Sequence, residues 1–322
     1  MKLIIQIPCY NEGKTLAIAL SHLPREVEGF DKVEWLIIND GSTDNTVGEA
    51  KKNGVDHVVS FKENQGLAKG FMAGLSACVR LGADVIVNTD ADNQYNAEDI
   101  PKLTAPIVQG KADMVVGARP ILDIEHFSKR KKMLQKLGSW TVKLASKTDI
   151  PDAPSGFRAF SREAAMKLNV FNEYTYTLET IIQAGRTGIA ITSVPVRTNE
   201  DLRPSRLVKS IFNYVKLSLY TILRIFTIYK PFRTFFTIGA FFFLIGFGLG
   251  IRWLYLFFIA GTERTHVPSL ILASICIILG VLVGVIAIIG DLLAVNRKLL
   301  EDIQYRVRKQ EAELETLKHN NQ

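Results

Sequence analysis

The stretch DVIVNTDADNQ, residues 84–94, joins a short apolar run to a turn that carries two carboxylates separated by one residue. A run of Val and Ile bounded by polar residues is typical of a buried parallel strand. Similar runs precede it in the chain, and helical patterns alternate with them, which predicts a doubly wound α/β sheet. The predicted strands are 2–7, 34–39, 55–61, 84–89 and 113–117, and the predicted helices are 15–23, 43–53, 67–81 and 97–109.

The pattern is less regular after residue 125. We predict a helix through the basic run 129–132 to about residue 147, and then a loop, DAPSGFR, at 152–158. A second helix at about 177–184 and a strand at 189–196 follow. The sequence thus divides into an α/β domain at 1–204, an amphipathic interfacial helix region at 205–231, a two-helix anchor at 232–290 and a helical tail at 291–322.

Charge and composition limit the classes of partner. The 322-residue chain has a formal net charge of +7, with basic residues concentrated at 129–132 and 203–233. The second cluster adjoins the apolar region, and neither zinc-finger spacing nor an RNA-binding aromatic motif is present, so we predict a membrane surface and no nucleic acid. Three scattered cysteines without a C-x-x-C pair indicate a reducing, cytosolic compartment for the soluble part.

Two apolar segments near the C-terminus, 232–259 and 268–290, are long enough to cross a bilayer. Lys230, Arg233, Arg297 and Lys298 flank them, which predicts a plasma-membrane protein with both termini in the cytosol. A buried helical hairpin is the alternative. Segment 205–231 suits an interfacial helix or a core-packing one. The tail has a roughly heptad apolar pattern, which fits either a coiled coil in a dimer or tetramer or a solvated single helix.

Polar side chains follow three of the strands, and ligands of doubly wound sheets bind beyond such strand ends. In an extended loop Asp90 and Asp92 point the same way, and together with the carbonyl oxygen of Gln94 they suit Mg²⁺ or Mn²⁺. Such a metal would neutralise charge on a departing nucleoside diphosphate. An acidic turn after a strand is also common without any metal.

Two further loops would converge on the same edge of the sheet. Asp40 could accept hydrogen bonds from a base or a ribose, and Tyr10 could stack on a base. Each loop also has a structural interpretation, because DGSTD at 40–44 is good helix-start chemistry and Asn11 can cap a strand end. Arg119, after the last of these strands, adds a cation at this edge.

Five motifs in this order resemble family 2 glycosyltransferases of the GT-A fold, and more narrowly the dolichyl-phosphate mannose synthase and polyprenyl-phosphate glycosyltransferase group. The resemblance covers about residues 1–210. The basic segment 203–206, RPSR, departs from the group's R-x-x-G-x-S-K pattern in spacing, in the missing glycine and in Arg for Lys. The motifs are IPCYNE at 7–12, DGSTDNT at 40–46, DADNQ at 90–94, GAR at 117–119 and SGFR at 155–158.

The resemblance implies a Rossmann-like GT-A domain that transfers a hexose from a UDP- or GDP-sugar to a polyprenyl phosphate, undecaprenyl or dolichyl, with inversion. Its catalytic residues would be Asp90, Asp92 and Arg119. The metal, Mg²⁺ or Mn²⁺, would be held by Asp90, Asp92 and Gln94. The implied donor-binding residues are Pro8, Tyr10, Glu12, Ile38, Asp40, Asp90, Ala91, Asp92 and Gln94, and the implied phosphate- or acceptor-binding residues are Arg119, Arg130, Arg158, Arg203, Ser205 and Arg206.

Alternatives remain open at this point. Arg158 could instead be a structural partner of Asp152. A membrane glycosyltransferase with a saccharide acceptor is the second functional hypothesis, although QAGRT at 183–187 lacks the Trp of the Q-x-x-R-W motif of processive enzymes. A non-catalytic membrane scaffold that assembles through its tail is the third.

Overall fold

A computed structural model describes residues 1–120, 143, 146, 148–170, 176–199, 227, 231–258 and 267–320, with backbone only for 316–320. The chain forms two compact units, one of Met1–Lys216 with Glu301–Gln322 and one of Leu217–Leu300. Most of the predicted helix up to residue 147 and of the predicted interfacial helix at 205–231 lies outside the described residues.

The N-terminal half alternates strands with helices, as predicted. Four of its five strands are apolar runs that are buried along most of their length, whereas each helix has one buried face. The elements are β1 (Lys2–Cys9), α1 (Leu16–His22), β2 (Lys32–Asn39), α2 (Thr46–Lys52), β3 (His57–Ser60), α3 (Leu67–Arg80), β4 (Val85–Asn88), a 3-10 turn (Ala97–Asp99), α4 (Ile100–Val108) and β5 (Met114–Ala118).

The remaining described elements complete the sheet and then form long helices. They are β6 (Arg158–Ser161), α5 (Arg162–Lys167), α6 (Thr177–Thr187), β7 (Ile191–Pro195), α7 (Pro231–Phe258) and α8 (Val267–Asn320). The predicted helix at 177–184 and the predicted strand at 189–196 correspond to α6 and β7.

The described residues contain a seven-stranded sheet in the order β3-β2-β1-β4-β6-β5-β7. Strands β1, β2, β3 and β4 pair in parallel, and so do β5 and β7. Strand β6 runs antiparallel to both of its neighbours, β4 and β5. The sheet is therefore mixed, and its central parallel strands β2, β1 and β4 end at one common edge.

The sequence analysis missed strand β6 and assigned its first residue to a loop. The strand has only four residues, RAFS, and lacks the run of Val and Ile that marks the other strands. Its register is set by pairing with buried β4, where Asn88 lies opposite Arg158 and Val87 opposite Ala159. Sheet pairing with a distant segment, rather than local propensity, makes this segment a strand.

Helices α7 and α8 each contain a stretch of 18 residues apolar enough to cross a membrane, with mean hydropathies of 2.0 and 3.1 over those stretches. Their packing uses small residues. A Cβ added to Gly239 would lie 2.8 Å from the carbonyl oxygen of Gly280, and one added to Gly246 would lie 2.7 Å from that of Ala273. The two backbones therefore approach too closely for side chains, as is usual where apolar helices associate within lipid.

One end of the first unit depends on a buried carboxylate. Glu34, near the start of β2, lies 2.7 Å from Lys2 Nζ, 2.6 Å from Lys32 Nζ and 2.8 Å from His57 Nε2. Burial favours the neutral acid, but these hydrogen bonds outweigh it and lower the pKa of Glu34 to about 2. The ionised carboxylate therefore stabilises the starts of β1, β2 and β3, at the end of the sheet opposite to the motifs.

We predict that Glu34→Gln removes an acid-dependent part of the stability. Since the folded pKa is lowered, the contribution is complete above the unfolded value of 4.5 and is lost as the pH falls towards 2. Full-length protein in detergent is melted from pH 7 to pH 3. The wild type should exceed the variant by up to about 3 kcal/mol at pH 7, with the gap closing on acidification.

Glu28→Gln is the matched control, because Glu28 is an exposed acid of the same domain. Its melting temperatures should follow those of the wild type at every pH. Parallel melting curves for Glu34→Gln and the wild type would contradict the assignment.

Candidate active site

Hydrogen bonds join the loops after β1 and β2 into one wall. The amide of Asn11 donates to Ser42 Oγ at 3.0 Å, and the amide of Thr43 donates to Asn11 Oδ1 at 2.8 Å. Asn11 adopts a φ of 53°, a left-handed conformation that Asn tolerates better than most residues. The backbone of Asp40 also donates to the carbonyl of Cys9 at 2.9 Å. The predicted convergence of these two loops is confirmed.

Asp44 has the helix-start role that its motif indicates. Its Oδ1 accepts the amide of Thr46 at 3.0 Å, in the first turn of α2, and its Oδ2 accepts the amide of Gly13 at 2.9 Å. Glu12 is buried, and its amide donates to Thr46 Oγ1 at 2.9 Å. Its carboxylate accepts from Thr15 Oγ1 at 2.9 Å, beside the start of α1. Asp44 and Glu12 therefore hold the two loops of the wall together and also give the wall negative charge.

Asp40 is buried at the end of β2 and holds the loop that leads into α3. Its carboxylate accepts the amide of Gln65 at 2.7 Å, the amide of Gly66 at 3.0 Å and the side-chain nitrogen of Asn64 at 3.0 Å. Three donors fix both oxygens at the strand edge. The contact of Asp40 with a nucleoside stays a prediction, since a carboxylate can accept further hydrogen bonds.

The other residues of the implied nucleoside pocket differ in exposure. Tyr10 is 43% exposed and Pro8 is half-buried, so both are open to solvent at the sheet edge. Ile38 is fully buried and faces α3, where it lies 3.8 Å from the position that a Cβ of Gly70 would occupy and 2.8 Å from that of Gly74. The contact of Ile38 with the nucleoside stays a prediction.

The acidic turn, Asp90–Gln94, follows β4 at the same edge. The amide of Thr89 is tied to the carbonyl of Gln6 at 3.1 Å, which keeps the strand direction up to the turn. Asp90, Asp92 and Gln94 are half-buried, whereas Ala91 is buried. The amide of Gln94 donates to Asp92 Oδ1 at 3.3 Å. The turn thus holds its two carboxylates close together in a partly closed position.

The carboxylates of Asp90 and Asp92 in the acidic turn repel each other. Burial, reinforced by the negative charge of Asp92, raises the pKa of Asp90 to about 7, although Arg119 opposes the shift. A divalent cation would relieve this repulsion, and two carboxylates leave coordination positions open for phosphate oxygens, as Mg²⁺ prefers. The described residues contain no cluster of three His, Cys, Asp or Glu side chains suited to a metal. The donor set therefore fits a cation shared with a phosphorylated ligand.

Gly156 closes the space beside Asp90. A Cβ at this position would lie 3.1 Å from Asp90 Oδ2 and 3.0 Å from the hydroxyl of Tyr176. Its amide donates to the hydroxyl of Tyr95, and its carbonyl accepts from Asn88 Nδ2, both at 2.9 Å. Asn88 also donates to Tyr176 at 2.9 Å. This buried network fixes the backbone of residue 156 against the acidic turn.

Arg119 is held by Asp152 rather than left as an isolated cation. Its Nε and Nη2 donate to the two oxygens of Asp152 at 2.7 and 3.0 Å, in a bidentate pair. The Arg119 side chain keeps 15% of its surface exposed, and its charge acts on Asp90. The predicted contact of Arg119 with phosphate therefore stays geometrically open, with Asp152 fixing the guanidinium.

The prediction that Arg158 binds phosphate conflicts with its position. Arg158 is fully buried, and its guanidinium donates to the carbonyls of Ser155, Ala153 and Thr177 at 2.7 to 2.8 Å. It also donates to Thr180 Oγ1 at 2.6 Å. The alternative, a structural role, is correct in kind, but the hydrogen-bonding partners are carbonyls and a hydroxyl, while Asp152 binds Arg119.

The acceptor-side residues Arg130, Arg203, Ser205 and Arg206 lie outside the described residues. The chain just before three of them is fastened to the acidic turn. The backbone amide of Asn199 donates to the carbonyl of Gln94 at 2.9 Å. Its side-chain Nδ2 donates to the carbonyl of Asn93, also at 2.9 Å. Arg197 pairs with Asp99, with Nη2 3.0 Å from Oδ1. Residues 197–199 are therefore part of the site.

Sequence reasoning missed several residues that shape the site. They act through tertiary contacts across 20 to more than 100 positions, and their local sequence carries only weak signals. The clearest signal was present in the SGFR motif, whose glycine, rather than its arginine, faces the acidic turn. The missed residues are Asn88, Tyr95, Asp152, Gly156, Tyr176, Arg197 and Asn199.

Comparisons with known proteins agree with this geometry. Residues 4–168 match the model of glycosyl transferase family 2. The chain is 30% identical to a UDP-N-acetylglucosamine–dolichyl-phosphate N-acetylglucosaminyltransferase of Methanococcus voltae, over 60% of this chain and 83% of that one. It is 27% identical to an undecaprenyl-phosphate mannosyltransferase of Micrococcus luteus, over 61% and 83%. Glucosyl-3-phosphoglycerate synthase of Mycobacterium tuberculosis, solved with Mn²⁺, UDP-glucose and phosphoglyceric acid, superposes with a TM-score of 0.54 at 22% identity, covering 69% and 79%.

The mixed sheet, whose central parallel strands end in the acidic turn and in the loops after β1 and β2, has the GT-A fold. The chain belongs to glycosyl transferase family 2, and the predicted fold and enzyme class are confirmed.

We predict that Gly156→Ala lowers turnover without unfolding the protein. The new Cβ would crowd Asp90 and Tyr176 by a few tenths of an ångström, so the acidic turn must shift. Misplaced catalytic groups cost roughly tenfold to a hundredfold in rate. The readout is release of nucleoside diphosphate, with melting temperature measured on the same sample.

Gly70→Ala is the control. Its added Cβ would meet Ile38 at an ordinary 3.8 Å within α3, so turnover should match the wild type. Wild-type turnover in Gly156→Ala would contradict the role given to Gly156.

Proposed function

We propose that this enzyme transfers a hexose from a UDP- or GDP-sugar to a polyprenyl phosphate at the cytoplasmic face of the plasma membrane. The supporting observation is that one chain combines the paired carboxylates of the acidic turn with two helices long and apolar enough to span a bilayer. The names of the relatives from Methanococcus voltae and Micrococcus luteus, a dolichyl-phosphate and an undecaprenyl-phosphate transferase, point to the same acceptor class.

The donor would lie along the edge formed by β1, β2 and β4. Exposed Tyr10 offers a ring for the base, and Asp40 lies fixed at the neighbouring strand end. Asp90, Asp92 and Gln94 would hold Mg²⁺ or Mn²⁺, which supplies positive charge to the diphosphate. Pro8, Glu12 and Ala91 would complete the walls of this pocket.

The acceptor needs little activation. A lipid phosphate is ionised near pH 7, so its oxygen can attack the anomeric carbon without a general base. A carbon–oxygen bond forms to that phosphate as the bond to the nucleoside diphosphate breaks, with inversion at the carbon. Arg119 is oriented by Asp152 toward this region. Arg130, Arg203, Ser205 and Arg206 are proposed to share the charge of the two anions.

The decisive experiment follows the sugar. Purified full-length enzyme with Mn²⁺ is given radiolabelled UDP- and GDP-hexoses in turn, together with undecaprenyl phosphate or dolichyl phosphate. We expect label in the organic extract with at least one donor. The matched control is the unphosphorylated polyprenol, which lacks the nucleophile and should remain unlabelled.

Two outcomes would contradict the proposal. Label that enters a water-soluble or polymeric saccharide instead of lipid would favour a saccharide acceptor. No transfer from any common nucleotide sugar would favour a scaffold.

We predict that Asp92→Asn abolishes most transfer. Losing one charge of the pair weakens metal binding and the stabilisation of the leaving diphosphate, which is worth roughly a hundredfold or more in kcat. Initial rates across a Mn²⁺ titration measure both effects, and the half-saturating Mn²⁺ concentration should rise.

Glu163→Gln is the control for removing an acid of the same domain, because Glu163 is exposed, pairs with Lys167 and follows β6 at the opposite edge of the sheet. Its rate and its Mn²⁺ dependence should stay near those of the wild type. An Asp92→Asn enzyme with unchanged rate and Mn²⁺ dependence would refute the role of Asp92.

A further inference from the structure

The tail portion of α8 presents two different faces. One face docks on the enzyme's own catalytic domain. Arg308 Nη1 donates to the carbonyls of Met166 and Leu168 at 3.1 and 2.8 Å, at the C-terminal end of α5. Lys167 Nζ lies 5.4 Å from the centre of the Tyr305 ring. This docked face consists of residues 301, 305, 308, 312 and 315, spaced alternately by four and three.

The second face is apolar and exposed. Ile303, Val307 and Leu314 are 56%, 46% and 58% exposed, with Gln310 between the last two. The positions 303, 307, 310 and 314 are again spaced by four and three, and Leu317 continues the series in the sequence. We call these five positions the tail stripe. At 100° per residue its midline lies about 160° from that of the docked face.

We propose that the tail stripe binds a second copy of this chain in a parallel, in-register coiled coil. The spacing places Val307 and Leu314 at a positions and Ile303 and Leu317 at d positions of a heptad, where such helices interlock. Gln310 occupies the d position between Ile303 and Leu317 and is the single polar residue of the tail stripe. The same helix can then hold its own catalytic domain on one side and a partner on the other.

The charges that flank the tail stripe complement a second copy. In a parallel pair, each g position faces the e position five residues later on the partner. Arg306 would face Glu311, and Glu313 would face Lys318, so both contacts join opposite charges. Residues five apart are not neighbours on one helix, and Arg306 instead pairs within its helix with Asp302 at 2.8 Å. The pattern is thus suited to contacts between chains.

The parallel direction follows from the anchor. The tail continues the apolar helix that begins at Val267 without a break. Two copies inserted in one membrane in the same orientation therefore project their tails the same way. This step rests on the membrane location in the proposed function, and it is independent of sugar transfer.

Cysteine cross-linking in reconstituted liposomes tests the arrangement. In a Cys276→Ser background, with Cys9 and Cys78 buried, Val307→Cys should give disulfide-linked dimers under mild oxidation, since in-register a positions meet their own copies. Lys309→Cys is the matched control, because Lys309 is exposed and belongs neither to the docked face nor to the tail stripe. Equal cross-linking of both variants, or none with Val307→Cys, would overturn the proposal.

Charge reversal tests the pairing specifically. Glu313→Lys should weaken dimerisation about tenfold, measured by energy transfer between labelled copies in liposomes, and Glu313→Lys with Lys318→Glu should restore it. No effect of the single change, or no rescue by the double change, would overturn the pairing. Nucleoside diphosphate release should stay at the wild-type rate in both variants, so failure here is distinguishable from failure of the proposed function.

Discussion

The pairing of β6 with β4 is the constraint on which the site depends. A four-residue strand from far along the chain inserts antiparallel beside β4. The register that sets Asn88 opposite Arg158 fixes the position of the residues just before β6. It brings Gly156 against Asp90 and Asp152 against Arg119. Without that pairing the acidic turn would have one open side. The sheet thus does more than collect strand ends, because its one antiparallel insertion closes the space around them.

The electrostatics of the site also follow from that closure. Burial, reinforced by the negative charge of Asp92, pushes the pKa of Asp90 towards neutrality. The positive charge of Arg119 opposes this rise in the pKa of Asp90, but two of the Arg119 nitrogens already donate hydrogen bonds to Asp152. The local balance therefore stays negative at the acidic turn. This excess negative charge destabilises the free enzyme, and a cation bound together with a phosphorylated ligand would neutralise it.

Much of this was accessible from the sequence. Runs of Val and Ile identified the central strands, and polar residues after β1, β2 and β4 located the site, because buried parallel strands have a strong local signature. Strand β6 and the Arg119–Asp152 pair were not accessible, since each depends on a partner more than 30 positions away. Arg158 shows the risk of reading charge alone: an arginine in a motif can serve carbonyl oxygens inside the protein as well as phosphate outside it.

Helices α1, α2 and α3 all begin at the edge of the sheet where the donor pocket is proposed. In many doubly wound folds such helix N-termini carry partial positive charge and bind phosphate directly. Here Glu12, Asp44 and Asp40 lie at those three starts and accept hydrogen bonds there. The chain's own acids thus place negative charge beside these three helix starts. A diphosphate bound at this edge would then need its countercharge from a cation and from arginine side chains, and binding and release of the nucleotide would be linked to binding of that ion.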